Sequence, residues 1–325
     1  MVPAWSMNTL RAVCCAGLVM GAALLAGCAG DAPESPAAPT AAEQAFATEQ
    51  AQWRAGREAD LTREDGWTAL VGLHWLDLQA HYIGSGSTSG IRLGYGPARL
   101  GLLQRQGRHW RFQPEAGAGV VRDGEPVTGS IPFNSDRQAD PTLLVFDEGK
   151  GRLQLIERGG RFALRVRHAD APTRLHFAGL ENWPGGLDWR VPATFLAHPQ
   201  GRTIEVVDML GMSNALPNPG RLVFVRDGKT FALEAIDNGD GSWMLIFADR
   251  TSGHGSYPAG RYLDLPAPLP GQTELAIDFN RAYNPPCAFS SYATCPLPPA
   301  GNRLDLRIEA GEKAYKPAES GKETV

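Results

Sequence analysis

Glycine and proline recur roughly every ten residues from Gly66 onward, and this punctuation constrains the fold more than any other feature of the sequence. The short segments between them alternate apolar and polar residues, which is typical of strands with one buried face. The sequence lacks the helical pattern that parallel crossovers require. We therefore predict a mainly β fold of antiparallel sheets, arranged as a sandwich or in a barrel-like form, with one N-terminal helix.

The clearest strand pair runs from Leu153 to His168, where Gly159-Gly160 supplies a two-residue hairpin turn. After the turn, Arg161, Arg165 and Arg167 alternate with apolar residues and share one face. We interpret this arginine row as a solvent-exposed sheet face, with an anion-binding face as the alternative. Further strands are predicted at Trp189–Leu196, Thr203–Met209, Arg221–Val225, Thr230–Ala235, Trp243–Ala248, Glu274–Phe279 and Arg303–Glu309.

The N-terminal residues resemble a bacterial lipoprotein signal. The apolar segment Ala16–Ala26 follows Arg11 and is too short to span a bilayer. The residues Leu25 to Cys28 resemble the lipobox, whose cysteine is acylated before cleavage, and two or more acyl chains anchor a protein stably. Ala29, where aspartate would favour the inner membrane, favours the outer membrane. We predict a lipoprotein anchored through Cys28 and facing the periplasm; the alternative is a plain secretory signal.

The rest of the chain is divided by composition. The segment 28–42 is rich in Ala and Pro and is predicted to be a disordered tether. From Ala41 to about Arg63, Phe46, Trp53 and Leu61 recur near the helical period and predict the helix. The predicted parts are a signal peptide (1–27), the tether, a first subdomain with the helix (43–190), a second β subdomain (191–316) and a tail (317–325). One continuous sandwich or barrel remains an open alternative.

Charge and cysteine content exclude some functions. The formal net charge is -4 and basic residues form no runs, so the sequence predicts no nucleic-acid partner. Outside the signal and Cys28, the cysteines are Cys287 and Cys295. In an oxidising compartment they are predicted to form a disulfide, with a redox-active pair as a weaker alternative. Two thiols do not complete a zinc site, and we predict no metal and no cofactor.

The segment Asp278–Arg303 concentrates Asp, Asn, Arg, Tyr and Cys in a proline-rich loop, DFNRAYNPPCAFSSYATCPLPPAGNR. Such a loop is rigid from the outset, and rigid loops often carry binding sites. Together with GWTALVGLHWL at 66–76, WRVPA at 189–193 and YPAGRYL at 257–263, it resembles the bacterial and archaeal family called domain of unknown function 1684. The resemblance covers about residues 50 to 312. It implies candidate residues without roles, since the family has no established activity.

The candidate functional cluster contains acids, amides, a tyrosine and arginines: Asp278, Asn280, Arg281, Tyr283, Asn284, Arg261 and Arg303. Its arginines are suited to bidentate contact with a carboxylate or a phosphate. The structural alternative is an ion pair between Asp278 and Arg281, with Asn284 capping a turn. Several tryptophans, Trp67 among them, offer either a sugar-stacking surface or ordinary core packing.

Two hypotheses of function follow. The first is a β-rich ligand-binding or assembly module of the cell envelope, whose partner is a small molecule or an envelope polymer. The second is an envelope enzyme, such as a hydrolase, with a site built from Asp278–Cys295 and Arg261. The sequence has no G-x-S-x-G nucleophile elbow, so it gives serine hydrolysis no support.

Overall fold

The computed structural model describes residues 38–318 of the chain. The predicted signal peptide, Cys28 and the tether up to residue 37 lie outside the described residues, as does the tail from residue 319. Within residues 38–318, no helix combines the length and the apolar character needed to cross a membrane.

The long N-terminal helix, α1 (Ala41–Thr62), confirms the predicted helix and extends over the last two residues of the predicted tether. It buries Gln50 and Leu61. Near its C-terminus the hydroxyl of Thr68 donates to the carbonyl oxygen of Leu61 at 2.5 Å, which satisfies one of the backbone acceptors left free at a helix end. A single-turn helix, α2 (Pro172–Leu175), begins with proline at a position where no backbone N–H is needed.

The remainder of the described chain is mainly strands and turns. In chain order the strands are β1 (Leu70–Trp75), β2 (Ala80–Gly84), β3 (Ile91–Arg92), β4 (Gly101–Gln106), β5 (His109–Pro114), β6 (Val121–Arg122), β7 (Glu125–Pro126), β8 (Ile131–Pro132), β9 (Leu143–Phe146), β10 (Gly151–Arg158), β11 (Arg161–His168), β12 (Arg190–Ala197), β13 (Thr203–Val207), β14 (Ser213–Pro217), β15 (Gly220–Arg226), β16 (Lys229–Glu234), β17 (Ile236–Asp237), β18 (Ser242–Phe247), β19 (Arg261–Pro266) and β20 (Glu274–Asp278).

These strands form several open sheets, which confirms the predicted mainly β, antiparallel fold. The strand orders are β1-β11-β10-β9-β6-β7, β3-β2-β4-β5-β8, β16-β15-β12-β20, β17-β18-β19 and β13-β14. Between the strands named above, the pairing is antiparallel except between β2 and β3. None of these sheets closes into a barrel, because the first and last strands of each order are not paired.

The hairpin β10–β11 has the predicted turn. Gly159 and Gly160 both have positive φ, 54° and 75°, as a tight turn between twisted antiparallel strands requires. The predicted strands from residue 189 to residue 279 are each observed with small shifts of their ends. The prediction of a strand at Arg303–Glu309 is wrong. Alternate residues of this segment are buried, as in a strand, but the backbone N–H of Ile308 donates to the Asp249 carboxylate at 2.8 Å.

Apolar residues form three buried clusters. One joins the β1- and β3-containing sheets and includes Phe112 and Leu164, and another joins β15, β18, β19 and β20 around Phe279. A third brings Leu70 together with Tyr262 and Cys295, and Trp67 packs at its edge. The first two clusters lie on either side of residue 190 in sequence; the subdomain boundary predicted there stays a prediction.

The arginine row of β11 is only partly solvated. Arg161 is exposed, but Arg165 is only 5% exposed, and the Cζ atoms of Arg165 and Arg167 both lie 5.4 Å from the centre of the Trp67 ring. The interpretation of the row as a solvent-exposed face is therefore wrong at Arg165, because Trp67, from the turn before β1, covers this part of the sheet.

Candidate functional site

The proline-rich segment begins at Asp278, the last residue of β20, and then passes beside β19. The Asp278 carboxylate accepts from the backbone N–H of Asn280 at 3.1 Å, which starts a short 3-10 turn. Beyond the turn, Tyr283 and Tyr262 exchange backbone hydrogen bonds of 2.9 and 2.8 Å. This bridge fixes the direction in which the Tyr283 side chain leaves the backbone.

Asp278 and Arg281 belong to an ion-pair network that holds helix α1. Asp278 accepts from Arg190 at 2.8 Å and lies 3.7 Å from Arg281, and Glu49 of the helix pairs with both arginines. Hydrogen bonds to Glu49 and Asp278 raise the pKa of Arg190. The ion pair between Asp278 and Arg281, offered above as the structural alternative, is thus present as part of a larger network.

The two asparagines of the predicted cluster are buried and serve the backbone. Asn280 exchanges hydrogen bonds of 2.9 Å with the backbone of Gly186. The side chain of Asn284 donates to the carbonyl oxygen of Lys313 at 2.7 Å, so it holds the C-terminal segment rather than capping a turn. Neither side chain reaches open solvent.

Arg261 is the most deeply buried cation of the predicted cluster. Its side chain and that of Asp249 are both fully buried and lie 3.1 Å apart. The guanidinium also donates to the carbonyl oxygen of Ile308 at 3.0 Å, and burial lowers its pKa. Arg261 therefore ties β19 to the segment that the sequence wrongly predicts as a strand. Arg303, by contrast, is exposed.

A cleft of about 550 Å³ lies between helix α1 and the part of the proline-rich segment from Arg281 to Pro286, the Tyr283 segment. This volume falls within the roughly 300 to 1,000 Å³ of typical small-ligand sites. Of the predicted cluster, Arg281 and Tyr283 line the cleft, and Trp67 lines it as well. The other residues that line it are Trp53, Gly56, Arg57, Asp60, Met244, Tyr262, Asp264 and Pro286.

Tyr283 and Asp264 form the principal polar contact in the cleft. The phenol donates to the Asp264 carboxylate at 2.7 Å. Partial desolvation by the surrounding protein raises the pKa of Asp264, and the hydrogen bond from Tyr283 opposes this shift. The Asp264 side chain keeps contact with solvent. Burial, and next the Asp264 charge, raise the pKa of Tyr283. The pair therefore presents a carboxylate that retains acceptor capacity for a ligand.

Arg57 crosses the floor of the cleft. Its Nε donates to the fully buried Glu312 carboxylate at 3.0 Å, and its Nη2 donates to the carbonyl oxygen of Asn284 at 3.0 Å. Its Cζ lies 4.6 Å from the centre of the Tyr283 ring. Burial raises the pKa of Glu312 and the Arg57 charge opposes that shift. Both guanidinium groups of the cleft, Arg57 and Arg281, are thus paired with protein carboxylates.

Several cleft residues were not singled out from the sequence as site candidates. Asp264, Tyr262 and Met244 sit on strands whose alternation predicts only burial or exposure. On helix α1, Trp53, Arg57 and Asp60 are spaced four and three residues apart and so share one face. This spacing is the one local signal that could have indicated the helical wall.

The cysteine pair lies beside the same segment. Cys295 is buried, Cys287 is half-buried, and both are free thiols in this structure. The backbone N–H of Cys287 donates to the Cys295 sulfur at 3.0 Å. A hydrogen bond from the Cys295 thiol lowers the pKa of Cys287, while the same interaction and burial raise the pKa of Cys295. Among residues 38–318, no group of three or more His, Cys, Asp or Glu is placed to hold a metal ion.

Comparison with known proteins identifies the family. The family model described as "Protein of unknown function (DUF1684)" matches residues 175–313, which include the proline-rich segment, Arg261 and Asp264. The chain belongs to this family. The match does not include the motif at 66–76. It begins at residue 175, whereas the resemblance predicts a family region that begins at about residue 50.

Two solved structures are similar to parts of the chain. The solution NMR structure of an uncharacterized protein of Haloarcula marismortui is 32% identical, with 43% of this chain and 78% of that chain covered and a TM-score of 0.37. The N-terminal FHA domain of EssC, a component of the bacterial type VII secretion apparatus, is 11% identical, with 30% and 46% covered and a TM-score of 0.24. At these TM-scores neither structure informs the fold. No curated protein matches the chain.

The buried pair predicts a structural role for Arg261. We expect Arg261→Met to lower the free energy of unfolding by about 3–5 kcal/mol, because Asp249 would remain buried without its partner. Denaturant unfolding measures this loss. The exposed Arg303→Met is the matched control and should change stability by less than about 0.5 kcal/mol. A loss at Arg261 no larger than that of the control would contradict the structural role.

Proposed function

We propose that this chain is a lipid-anchored protein of the cell envelope whose cleft binds a small neutral ligand rich in hydroxyl groups, of the saccharide class. The proposal takes up the ligand-binding hypothesis raised by the sequence. It is supported by the residues that line the cleft and by the lipobox-like residues before Cys28.

The observation that carries this proposal is the pairing of charges in an aromatic cleft. Trp53, Trp67, Tyr262 and Tyr283 offer ring faces and edges to the apolar side of a sugar ring. Because the cleft arginines are already paired with protein carboxylates, they offer little free positive charge to an anionic ligand. The carboxylate of Asp264 offers acceptor oxygens to hydroxyl groups. This combination favours a neutral, hydroxyl-bearing ligand.

One observation favours the enzyme alternative. Asp264 is a carboxylate in a cleft with a raised pKa and a tyrosine partner, and carboxyl groups with raised pKa values are common general acids in glycoside hydrolysis. The second carboxylate of such a site would be Asp60, which also lines the cleft. This alternative replaces the site built on Arg261, since Arg261 lies in the core.

The location is proposed from the N-terminal sequence. The short apolar segment before Leu25-Ala26-Gly27-Cys28 supports export followed by acylation of Cys28, and Ala29 supports the periplasmic face of the outer membrane. In that oxidising space, we propose that Cys287 and Cys295 form a disulfide. The proximity of the two residues supports this pairing.

Saccharide binding is testable by tryptophan fluorescence, since Trp53 and Trp67 line the cleft. We expect diacetylchitobiose to change the emission saturably. Trp53→Leu should weaken its binding by about tenfold, through loss of about 1.4 kcal/mol of ring contact. Trp75→Leu is the matched control, because Trp75 lies outside the cleft beneath Arg161, and it should leave the affinity unchanged.

The same titration distinguishes the alternatives. An unchanged emission, or equal affinities for the wild type and the Trp53 variant, would exclude saccharide binding in the cleft. Release of N-acetylglucosamine by the wild type, abolished by Asp264→Asn, would instead identify a hydrolase.

Acylation is tested in a bacterial host. We expect the wild-type mature chain to begin at Cys28, to carry the mass of its acyl chains and to sediment with membranes. Cys28→Ser removes the acylated sulfur and should abolish both the added mass and the sedimentation. Cys15→Ser, within the signal, is the control and should behave as the wild type. Membrane sedimentation that survives in the Cys28 variant would contradict the anchor.

The disulfide is tested on exported protein. After unfolding without reductant, neither Cys287 nor Cys295 should react with iodoacetamide, because the pair is bonded; after reduction both should react. Mass spectrometry of the peptides reads both states. Labelling of both residues without reductant would show that the exported protein keeps the free thiols of this structure.

A further inference from the structure

The open sheet containing β10 and β11 gathers arginines on one of its faces. Arg152 of β10 lies directly opposite Arg167 of β11, and Gln154 lies opposite Arg165 in the same register. Residues opposite each other, and residues two apart along a strand, point to the same side. The side chains of Arg152, Arg165 and Arg167 therefore share one face of the sheet with Gln154.

The protein supplies few acceptors for these cations. Within the described residues, the Arg165 side chain has no hydrogen bond or ion pair, and it is only 5% exposed. The Nε atoms of Arg165 and Arg167 and the Nη1 atom of Arg152 are buried without a hydrogen-bond partner. Arg167 reaches Gln154 Oε1 at 3.5 Å, at the limit of a hydrogen bond.

The nearby carboxylates are weak or committed partners. Glu64 is 3.9 Å from Arg152 and is mostly exposed. Both carboxylate oxygens of Asp65 accept hydrogen bonds of 3.0 Å from the Arg63 guanidinium. Asp136 pairs with Arg158 at 2.7 Å. The three converging arginines thus hold more positive charge than the protein neutralises, and a buried charge without a partner is destabilising.

The electrostatic consequences agree with this geometry. Burial, and then the charges of Arg167 and Arg158, lower the pKa of Arg165 to about 10. Burial also lowers the pKa of Arg167, and Arg152 adds to that shift while Asp65 opposes it. An anion beside these groups would relieve their repulsion.

Trp67 sets the position of two of the guanidinium groups. The Cζ atoms of Arg165 and Arg167 each lie 5.4 Å from the centre of its ring. Contact with an aromatic ring leaves N–H groups of a guanidinium free to donate, and two such N–H groups match two oxygens of a phosphate. The site differs in this respect from the cleft, where Arg57 and Arg281 are occupied by carboxylates.

We propose that Arg152, Arg165 and Arg167, positioned by Trp67, form a second binding site that takes a doubly charged oxyanion of the phosphate class. Arg165 forms the buried end of the site, and Arg152 and Arg167 form its more accessible side. The burial of Arg165 fits a small soluble phosphate or phosphomonoester better than the headgroup of a lipid that remains in a bilayer.

Calorimetric titration of the mature protein with inorganic phosphate, at constant ionic strength set with chloride, tests this site. Arg165→Met and Arg167→Met should each weaken phosphate binding at least about tenfold, because each removes a charged donor pair. Arg161→Met is the matched control from the same strand face: its side chain is exposed, lies by Asp77 and covers Trp75, so phosphate affinity should be unchanged.

Thermal unfolding separates an anion site from a structural cluster. In phosphate-free buffer the melting temperature of Arg165→Met should be equal to or higher than that of the wild type, since an unpaired buried charge is removed. Phosphate should raise the melting temperature of the wild type and not that of the variant. A variant that melts lower in both buffers by the same amount, or a wild type that does not bind phosphate, would overturn the proposal.

A sedimentation experiment with lipid vesicles distinguishes a soluble phosphate ligand from a lipid headgroup. Sedimentation of the unacylated Cys28→Ser chain with phosphatidic acid vesicles, lost in Arg165→Met, would contradict the preference for a soluble ligand. Phosphate binding without such sedimentation supports it.

Discussion

The ion pair between Arg57 and Glu312 determines how the cleft is built. Glu312 is fully buried and accepts from Arg57 at 3.0 Å and from the backbone N–H of Asn284 at 2.7 Å. A buried carboxylate requires such partners, so helix α1 and the Tyr283 segment are each fixed to the same acid. Arg57 also lies over the Tyr283 ring, so one guanidinium sets the spacing of both cleft walls.

Two groups of arginines in the molecule differ in the charge that surrounds them. Those beside the cleft are neutralised by Glu312, Glu49 and Asp278, which leaves aromatic rings and Asp264 to meet a ligand. Those on the β10–β11 face converge with few acids around them. The same residue type thus favours a neutral ligand at one site and an anion at the other. Counting arginines does not separate these cases; counting the acceptors within reach of each guanidinium does.

The parts of the fold that the sequence predicts well depend on local contacts. Helix α1 closes its hydrogen bonds within a few residues, and the β10–β11 hairpin follows from two glycines with positive φ. The segment Arg303–Glu309 shows the limit of such patterns. Its alternating burial is real, but alternation reports which side chains are buried and not what the backbone bonds to. Here the backbone of residues 302–306 bonds to Ala248 and Arg250 without forming a regular strand pair, and the Asp249 carboxylate accepts from Ile308.

The site is harder to predict because its walls come from distant parts of the chain. The proline-rich segment supplies Arg281 and Tyr283, as its composition indicates, but Asp264 gains its role only through the Tyr283 hydroxyl. Arg261 and Arg281 have the same chemistry in the sequence. One is enclosed with Asp249 and the other reaches the cleft, and only the packing of the surrounding strands decides between these outcomes. Arg165 follows the same logic: a period of two predicts its face, but a tryptophan outside the hairpin determines that this face is covered.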